Sequence, residues 1–323
     1  NKFETSFSKY LNTKHVVGTG NATDAIYIAL KALNIGKGDE VITPSHTATG
    51  TGIAILNTGA TPVFADISEK NFNIDPNLVT RKITKRTKAI IAVHIYGQSC
   101  NMEYLYDVAK KFGIPIIEDC SQSSGSVHNK KKLGSIGLFG CFSFFPTKNL
   151  SCIGDGGAIS TKDKYFYNKC KSLGEYGWNR SRDAINLGIN SRLDELQAAI
   201  LNVKLKFLDK DNKSRRLIAK YYDKNINNKL IIKPLETESN YHVYYLYVLR
   251  IKNREKFINY LKKTKIFPGI HYRLPLHKQK IFRKYKSYLP ITERICKEIV
   301  SIPMYPGLDK KNQKKIARLI NKF

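Results

Sequence analysis

"TKAIIAVHIYGQSCNMEYLYDVAKKFGIPIIEDCSQ" (residues 87–122) decides the fold. Two near-continuous apolar runs, 87–97 and 114–120, read as strands, and a helix from about Met102 to Phe112 lies between them. A strand apolar on both faces is covered on both sides, and a helical crossover makes its partner parallel. The same alternation extends upstream. "EVITP" (40–44) is a short strand, followed by a helix to about Asn57 and by "TPVFADI" (61–67). Earlier still, Val16 and Val17 lead into "GTGNATDAIYIALKALNIG", whose Ile26, Ala29, Leu30 and Leu33 share one helical face. The expectation is a largely parallel α/β sheet.

The pattern changes near Ser191. "NSRLDELQAAILNVKLKF" opens with a Ser-x-x-Asp cap, Ser191 and Asp194, and Leu193, Leu196, Ile200, Val203 and Phe207 form a stripe at helical spacing. Continued through "SRRLIAKYY", this reads as a linking helix over about 191–226. It would join a large domain, 1–205, to a small α+β domain, 206–323. The small domain would contain a strand in "YHVYYLYVLRI" (241–251), a helix around Phe257–Leu261, and amphipathic helices near 291–300 and 309–322.

The chain has 323 residues, enough for one large domain and a smaller one. Its 55 Lys and Arg against 26 Asp and Glu give a net charge of +29, the one unusual bulk number. The basic residues are dispersed, and "NKKK" (129–132) reads as a hairpin tip between Val127 and Leu133. A lysine-rich solvated surface that helps draw in a phosphorylated substrate explains this charge, and no zinc-finger or aromatic RNA-binding signature points to nucleic acid. No apolar run reaches membrane-spanning length. No secretory signal is visible, although a chain opening at Asn1 is expected to have its true start upstream. The six cysteines show no metal-ligand spacing, and no metal is expected; free cysteines in a reducing cytoplasm fit them.

Three segments carry chemistry. In "VVGTGNATDA", Gly18 and Gly20 begin G-x-G-x-x-G, but Thr23 stands at the third glycine, which argues against a dinucleotide. Free N–H groups of a helix start at Ala22 and Thr23 suit a single phosphate; an ordinary helix capped by Thr23 fits equally well. In "IPIIEDCSQ", Asp119 ends a buried strand, where α/β folds place ligands, and Gln122 follows three residues later. Its carboxylate is either structural or the partner of a protonated ring nitrogen. In "CFSFFPTKNLSCIGDGGAI" (141–159), Phe142, Phe144 and Phe145 would bury the segment that carries Lys148. Its amine would serve a salt bridge or a Schiff base with an aldehyde. A phosphate, a ring nitrogen and a lysine-bound aldehyde together describe pyridoxal 5'-phosphate (PLP).

The chain resembles the DegT/DnrJ/EryC1/StrS family of sugar aminotransferases. The similarity runs through "GTGNATDA", "GDEVITPSHT", "GATPVFADI", "TKAIIAVHIYGQ", "IEDCSQSSG", "GCFSFFPTKN", "GDGGA", "NSRLDELQAAIL" and "GIHYRLPLH". The resemblance implies an aspartate-aminotransferase-like (PLP fold type I) large domain and a small α+β domain. It also implies that Lys148 is the Schiff-base lysine and proton shuttle, that Asp119 pairs with the pyridinium nitrogen, and that Gln122 lies near the ring hydroxyl. Ala22, Thr23 and Ser143 would hold the phosphate. Asn190 would reach the phosphate of a neighbouring subunit, implying a homodimer with shared sites. Tyr272 and His277 would meet a nucleotide-sugar, with L-glutamate as amino donor.

"PSHTA", "FFPTKNL" and "EYGW" resemble members that aminate C3 of dTDP-3-keto-6-deoxyhexoses; amination at C4 of a UDP- or GDP-linked sugar and a non-catalytic regulatory relative are the alternatives. The residue after the Thr of "PSHT", commonly an aromatic that packs on the cofactor, is Ala48 here, leaving Ala48 or His46 for that place. Tyr176 and Trp178 are open to a substrate-entrance or a packing role.

Overall fold

The computed structural model describes residues 2–237 and 239–323. Helix α1 (Lys2–Leu11) precedes β1 (His15–Thr19), α2 (Ala22–Ala32), β2 (Glu40–Pro44), α3 (Thr49–Asn57), β3 (Thr61–Ala65) and α4 (Pro76–Thr80). The stretch read first becomes β4 (Thr87–Val93), α5 (Met102–Phe112) and β5 (Ile116–Asp119). Helix α5 starts on the Asn101 side chain, which accepts the Tyr104 N–H, and stops at Gly113, whose φ of 64° suits a residue without a Cβ. A hairpin, β6 (Val127–His128) and β7 (Lys131–Lys132), places Asn129 and Lys130 at its tip, followed by β8 (Phe139–Ser143) and β9 (Gly157–Thr161).

Seven strands form one sheet in the order β1-β9-β8-β5-β4-β2-β3. All neighbours from β8 to β3 are parallel, whereas β9 runs antiparallel to both β8 and β1. Period-two alternation covers both faces. Ala89, Ile91 and Val93 pack in the core that contains α2 and α3, while Ile90 and Ala92 face α5 through Met102, Leu105 and Val108. Residues Phe3 and Phe7 of α1 close the β8–β9 end by packing on Phe142 and Phe144.

The C-terminal half contains α6 (Lys164–Gly174), α7 (Glu195–Leu205), α8 (Leu208–Asn225), β10 (Asn240–Tyr241), β11 (Tyr247–Arg250), α9 (Arg254–Lys263), α10 (Pro290–Glu298), β12 (Ile299–Ile302) and α11 (Lys310–Asn321). Tyr222, Tyr247, Phe257, Val300 and Ile320 form a second core, around the antiparallel pair β11–β12.

Three local expectations are corrected. The linking helix is two helices, broken at Lys206 and Phe207, and it starts at Glu195 rather than Ser191. Ser191 is no cap: its hydroxyl donates to Asp24 and accepts the Gly20 N–H, tying the 191 segment to the start of α2. Of the run 241–251, only Tyr247–Arg250 pairs with a neighbouring long strand, because Val243 and Leu246 bond instead to the turn after β4.

Candidate active site

The carboxyl ends of the parallel strands gather the candidate residues on one edge. Asp119 ends β5 and is buried; its Oδ2 accepts the Thr51 hydroxyl at 2.8 Å and its Oδ1 accepts the Ser121 N–H at 3.1 Å. Thr51 spends its proton on Asp119, so the 3.0 Å contact with Thr47 is donated by Thr47. Ser143, at the end of β8, stands across from Gly157, which stands across from Thr19 just ahead of α2. Asn21 caps α2 by accepting the Asp24 N–H at 2.9 Å, a role assigned above to Thr23 as one alternative. Among the described residues the N–H groups of Ala22 and Thr23 have no protein acceptor, and they open a helix of 11 residues. A Cβ on Gly50 would sit 2.6 Å from the Thr23 hydroxyl, so α3 brings Thr51, and with it Asp119, close to that helix start.

Gln122 is fixed at both ends of its amide. Its Oε1 accepts the Tyr96 N–H at 2.7 Å, which turns its Nε2 toward the Tyr272 hydroxyl at 2.9 Å. Lys148 follows β8, with its N–H on the Phe145 carbonyl and its ammonium 4.6 Å from the centre of the Tyr245 ring. The expectation that three phenylalanines bury it is corrected: Phe142 and Phe144 are in the core, but Phe145 is exposed and Lys148 is only half-buried. The amine therefore keeps part of its surface exposed beside Tyr245. Burial and then the nearby Lys148 charge lower the pKa of His271, which keeps that ring neutral.

The remaining candidates are held by other partners. Asn190 is exposed, and its backbone bridges Glu175. His277 is buried, with Nδ1 2.7 Å from the Ser45 hydroxyl and Nε2 3.1 Å from Glu293. His46 has no exposed surface and bonds Tyr96 and Cys296 through its two nitrogens, so its ring faces are closed to a cofactor; Ala48 is half-buried. Sequence reasoning did not identify Thr51, Tyr96 or Tyr245. Tyr96 and Tyr245 sit within stretches quoted above and Thr51 in the helix read as running to about Asn57, but Tyr245 reaches Lys148 across 97 positions, which no local pattern signals.

Behind Asp119 lies a fully buried group, His94, Glu118 and Cys120, with ligand atoms within mutual reach of a metal. Its donors are already occupied. His94 Nδ1 accepts the Cys100 N–H, so Nε2 carries the proton given to Glu118, whose oxygens also accept N–H groups of Gly134, Ile136 and Gly137. Burial pushes the Glu118 carboxyl up, but His94 and these N–H groups outweigh it and hold the pKa low. Such a group stabilises the fold above the carboxylate range and loses that contribution as pH falls through its folded pKa. Glu118→Gln is expected to lower unfolding free energy by about 3 kcal/mol, because it leaves buried donors unpaired. Urea denaturation at neutral pH checks this, and a change under about 1 kcal/mol would refute it.

A strand-end carboxylate, a helix start with free N–H groups near Ser143, and a half-buried amine match the needs of PLP: an acid for the ring nitrogen, a cradle for the phosphate and a nucleophile for the aldehyde. This sheet, with its second α+β unit, is that of an aspartate-aminotransferase-like PLP enzyme. Residues 1–321 match the DegT/DnrJ/EryC1/StrS aminotransferase family, and the chain belongs to it. It is 44% identical over 322 residues to the dTDP-3-amino-3,6-dideoxy-alpha-D-galactopyranose transaminase of Aneurinibacillus thermoaerophilus, covering 99% of this chain and 89% of that one. A Geobacillus stearothermophilus protein named pleiotropic regulatory protein is 42% identical, over 100% of this chain and 88% of that one. The crystal structure of S. venezuelae DesV in complex with a ketimine intermediate superposes with a TM-score of 0.96 at 34% identity, covering 99% of this chain and 88% of that one. Similar solved structures include PMP-bound and PLP forms, and PLP is the cofactor of this family.

Proposed function

We propose that the protein moves the amino group of L-glutamate onto C3 of a dTDP-linked 3-keto-6-deoxyhexose. The observation that carries this reading is the 44% identity, over nearly the full chain, to a transaminase named for a C3 amino sugar. The donor leaves as 2-oxoglutarate, and the ketone oxygen leaves as water. When bound, PLP supplies the electron sink that makes the transferred carbon–hydrogen bond acidic. Lys148 would hold the cofactor covalently and, once freed, would carry the proton to or from the carbon being aminated. Asp119 would keep a proton on the ring nitrogen, and Gln122 would lie near the ring hydroxyl. The N–H groups of Ala22 and Thr23, with Ser143, would hold the phosphate; Tyr272 would meet the nucleotide-sugar, and so would His277, from its buried place against Ser45 and Glu293. Incubation with L-glutamate and either the 3-keto or a 4-keto nucleotide-sugar tests the assignment. Amino-sugar formation from the 3-keto compound is expected; turnover only with a UDP- or GDP-linked 4-keto-6-deoxysugar would instead support C4 amination. The regulatory name of one relative favours a non-catalytic reading, against which stand Lys148, Asp119 and Gln122 on one edge of the sheet.

The reading extends to a cytoplasmic homodimer that supplies amino sugars for lipopolysaccharide or another surface glycan. Its domains divide near residue 205, where α7 ends. The support for a dimer is the uncovered part of that stripe: Leu196 and Val203 on α7 are 64% and 59% exposed, and Phe207 just beyond it 50%. Nearby Asn190 is exposed as well, free to reach a neighbour's phosphate. Leu196→Asp with Val203→Asp is expected to raise the dimer dissociation constant at least about a hundredfold by burying charge in an apolar contact. Sedimentation analysis checks this; an unchanged mass at low micromolar concentration would remove the α7 stripe from the interface.

A further inference from the structure

Four residues distant in sequence form one hydrogen-bonded chain beneath the site. Cys296 Sγ lies 3.3 Å from His46 Nδ1, His46 Nε2 lies 2.6 Å from the Tyr96 hydroxyl, and that hydroxyl donates to the His271 carbonyl. A carbonyl only accepts, so the far end fixes every proton in the chain. Tyr96 gives its proton to His271 and must accept from His46 Nε2–H. His46 therefore carries its proton on Nε2, and its Nδ1 lone pair accepts the Cys296 thiol. Burial, which lowers the His46 pKa to about 3, keeps the ring in this neutral form.

Tyr96 is also held by its main chain. Its φ of 59° and ψ of 3° lie in the left-handed region, uncommon for a bulky residue, and its N–H is bonded to Gln122. Gln122 in turn donates to Tyr272, and His271 Nδ1 contacts the Ser301 hydroxyl at 2.9 Å. His271, which feels the Lys148 charge, and Tyr272 are thus held by Tyr96, Gln122 and Ser301. Because Tyr272 accepts from Gln122, its own proton is left to donate elsewhere.

We propose that His46 and Tyr96 are positioning residues that hold His271 and Tyr272 against Ser301 and Gln122, so that the Tyr272 hydroxyl meets the substrate. The inference rests on the transaminase reading for its kinetic consequence but not for its structural one. Hydrogen exchange of the 269–276 segment in the PLP-loaded enzyme reads the structural part. Tyr96→Phe and His46→Leu are expected to speed exchange there about tenfold, while His46→Gln, which keeps a donor toward Tyr96, stays near the parent protein. In the reverse direction, with dTDP-3-amino-3,6-dideoxygalactose and 2-oxoglutarate, the first two variants should raise KM about tenfold with kcat within about threefold. Borohydride labelling of Lys148 should be unchanged in all three. Unaltered exchange in Tyr96→Phe, exchange that rises equally across β11 and β12, or a KM that does not move would each overturn the proposal. If the parent protein shows no label on Lys148, or the probe does not turn over, the transaminase reading or its sugar fails, and the exchange result alone decides the positioning role.

Discussion

Lys148→Ala is expected to lower turnover by at least about 10⁴-fold and to abolish borohydride-stable attachment of the cofactor. The size follows from the number of tasks that rest on one amine. It is half-buried beyond the carboxyl edge of β8, and its ammonium faces the Tyr245 ring. With no carboxylate bonded to it among the described residues, the amine is available as a nucleophile and base once it loses its proton. Its removal leaves the fold in place, because the side chain is half-buried and the turn is held by main-chain bonds from Lys148 to Phe145 and from Cys152 to Phe144. A stability change within about 1 kcal/mol is therefore expected, and Lys148→Arg should fail as completely as alanine despite keeping the charge. Mass mapping after borohydride reduction, alongside single-turnover kinetics, checks both statements. A label that moves to another lysine, or retention of a tenth of the activity, would end the role assigned to Lys148.

The parallel half of the sheet and its chemistry were legible because both depend on local pattern. Residues 87–120 carry apolar runs of strand length and a capped amphipathic helix, and a carboxylate at the end of such a strand is visible without coordinates. The reversal at β9 was not, since Gly157–Thr161 is short and its direction is set by pairing with β1 and β8. The α7 stripe shows a subtler limit. Its spacing is helical, but spacing does not say which face is covered: Leu193 ahead of the helix and Ala198, Leu201 and Leu205 pack on the core, while Leu196, Val203 and Phe207 stay exposed. Phe145 shows the same limit within a single turn, where alternation beyond the strand end no longer reports burial. Likewise Ser191 and Asp194 satisfy a capping pattern, but the Ser191 hydroxyl is drawn to Asp24 and Gly20, 167 and 171 positions away. The chain from Cys296 to His271 was invisible because its members come from four separate segments.

Asp119→Asn is expected to reduce turnover by about 10²–10³-fold while leaving borohydride labelling of Lys148 intact, which separates it from the lysine variant. An ionised acid favours the protonated ring nitrogen beside it; a neutral amide of the same shape does not. The substitution has a structural cost of its own. Asp119 accepts two hydrogen bonds, one on each oxygen, from the Thr51 hydroxyl and the Ser121 N–H, and asparagine has only one oxygen to offer. One buried donor is left without its partner, at about 1–3 kcal/mol of stability. Thr51→Val separates these effects. It removes one of the two donors while keeping the charge, so it should reproduce part of the stability loss and cost turnover less than about tenfold. If Asp119→Asn turned over within tenfold of the parent protein, or if Thr51→Val fell as far, the carboxylate would matter for its hydrogen bonds rather than its charge. The acid would then be a structural residue at a strand end, and the ring nitrogen would need another partner.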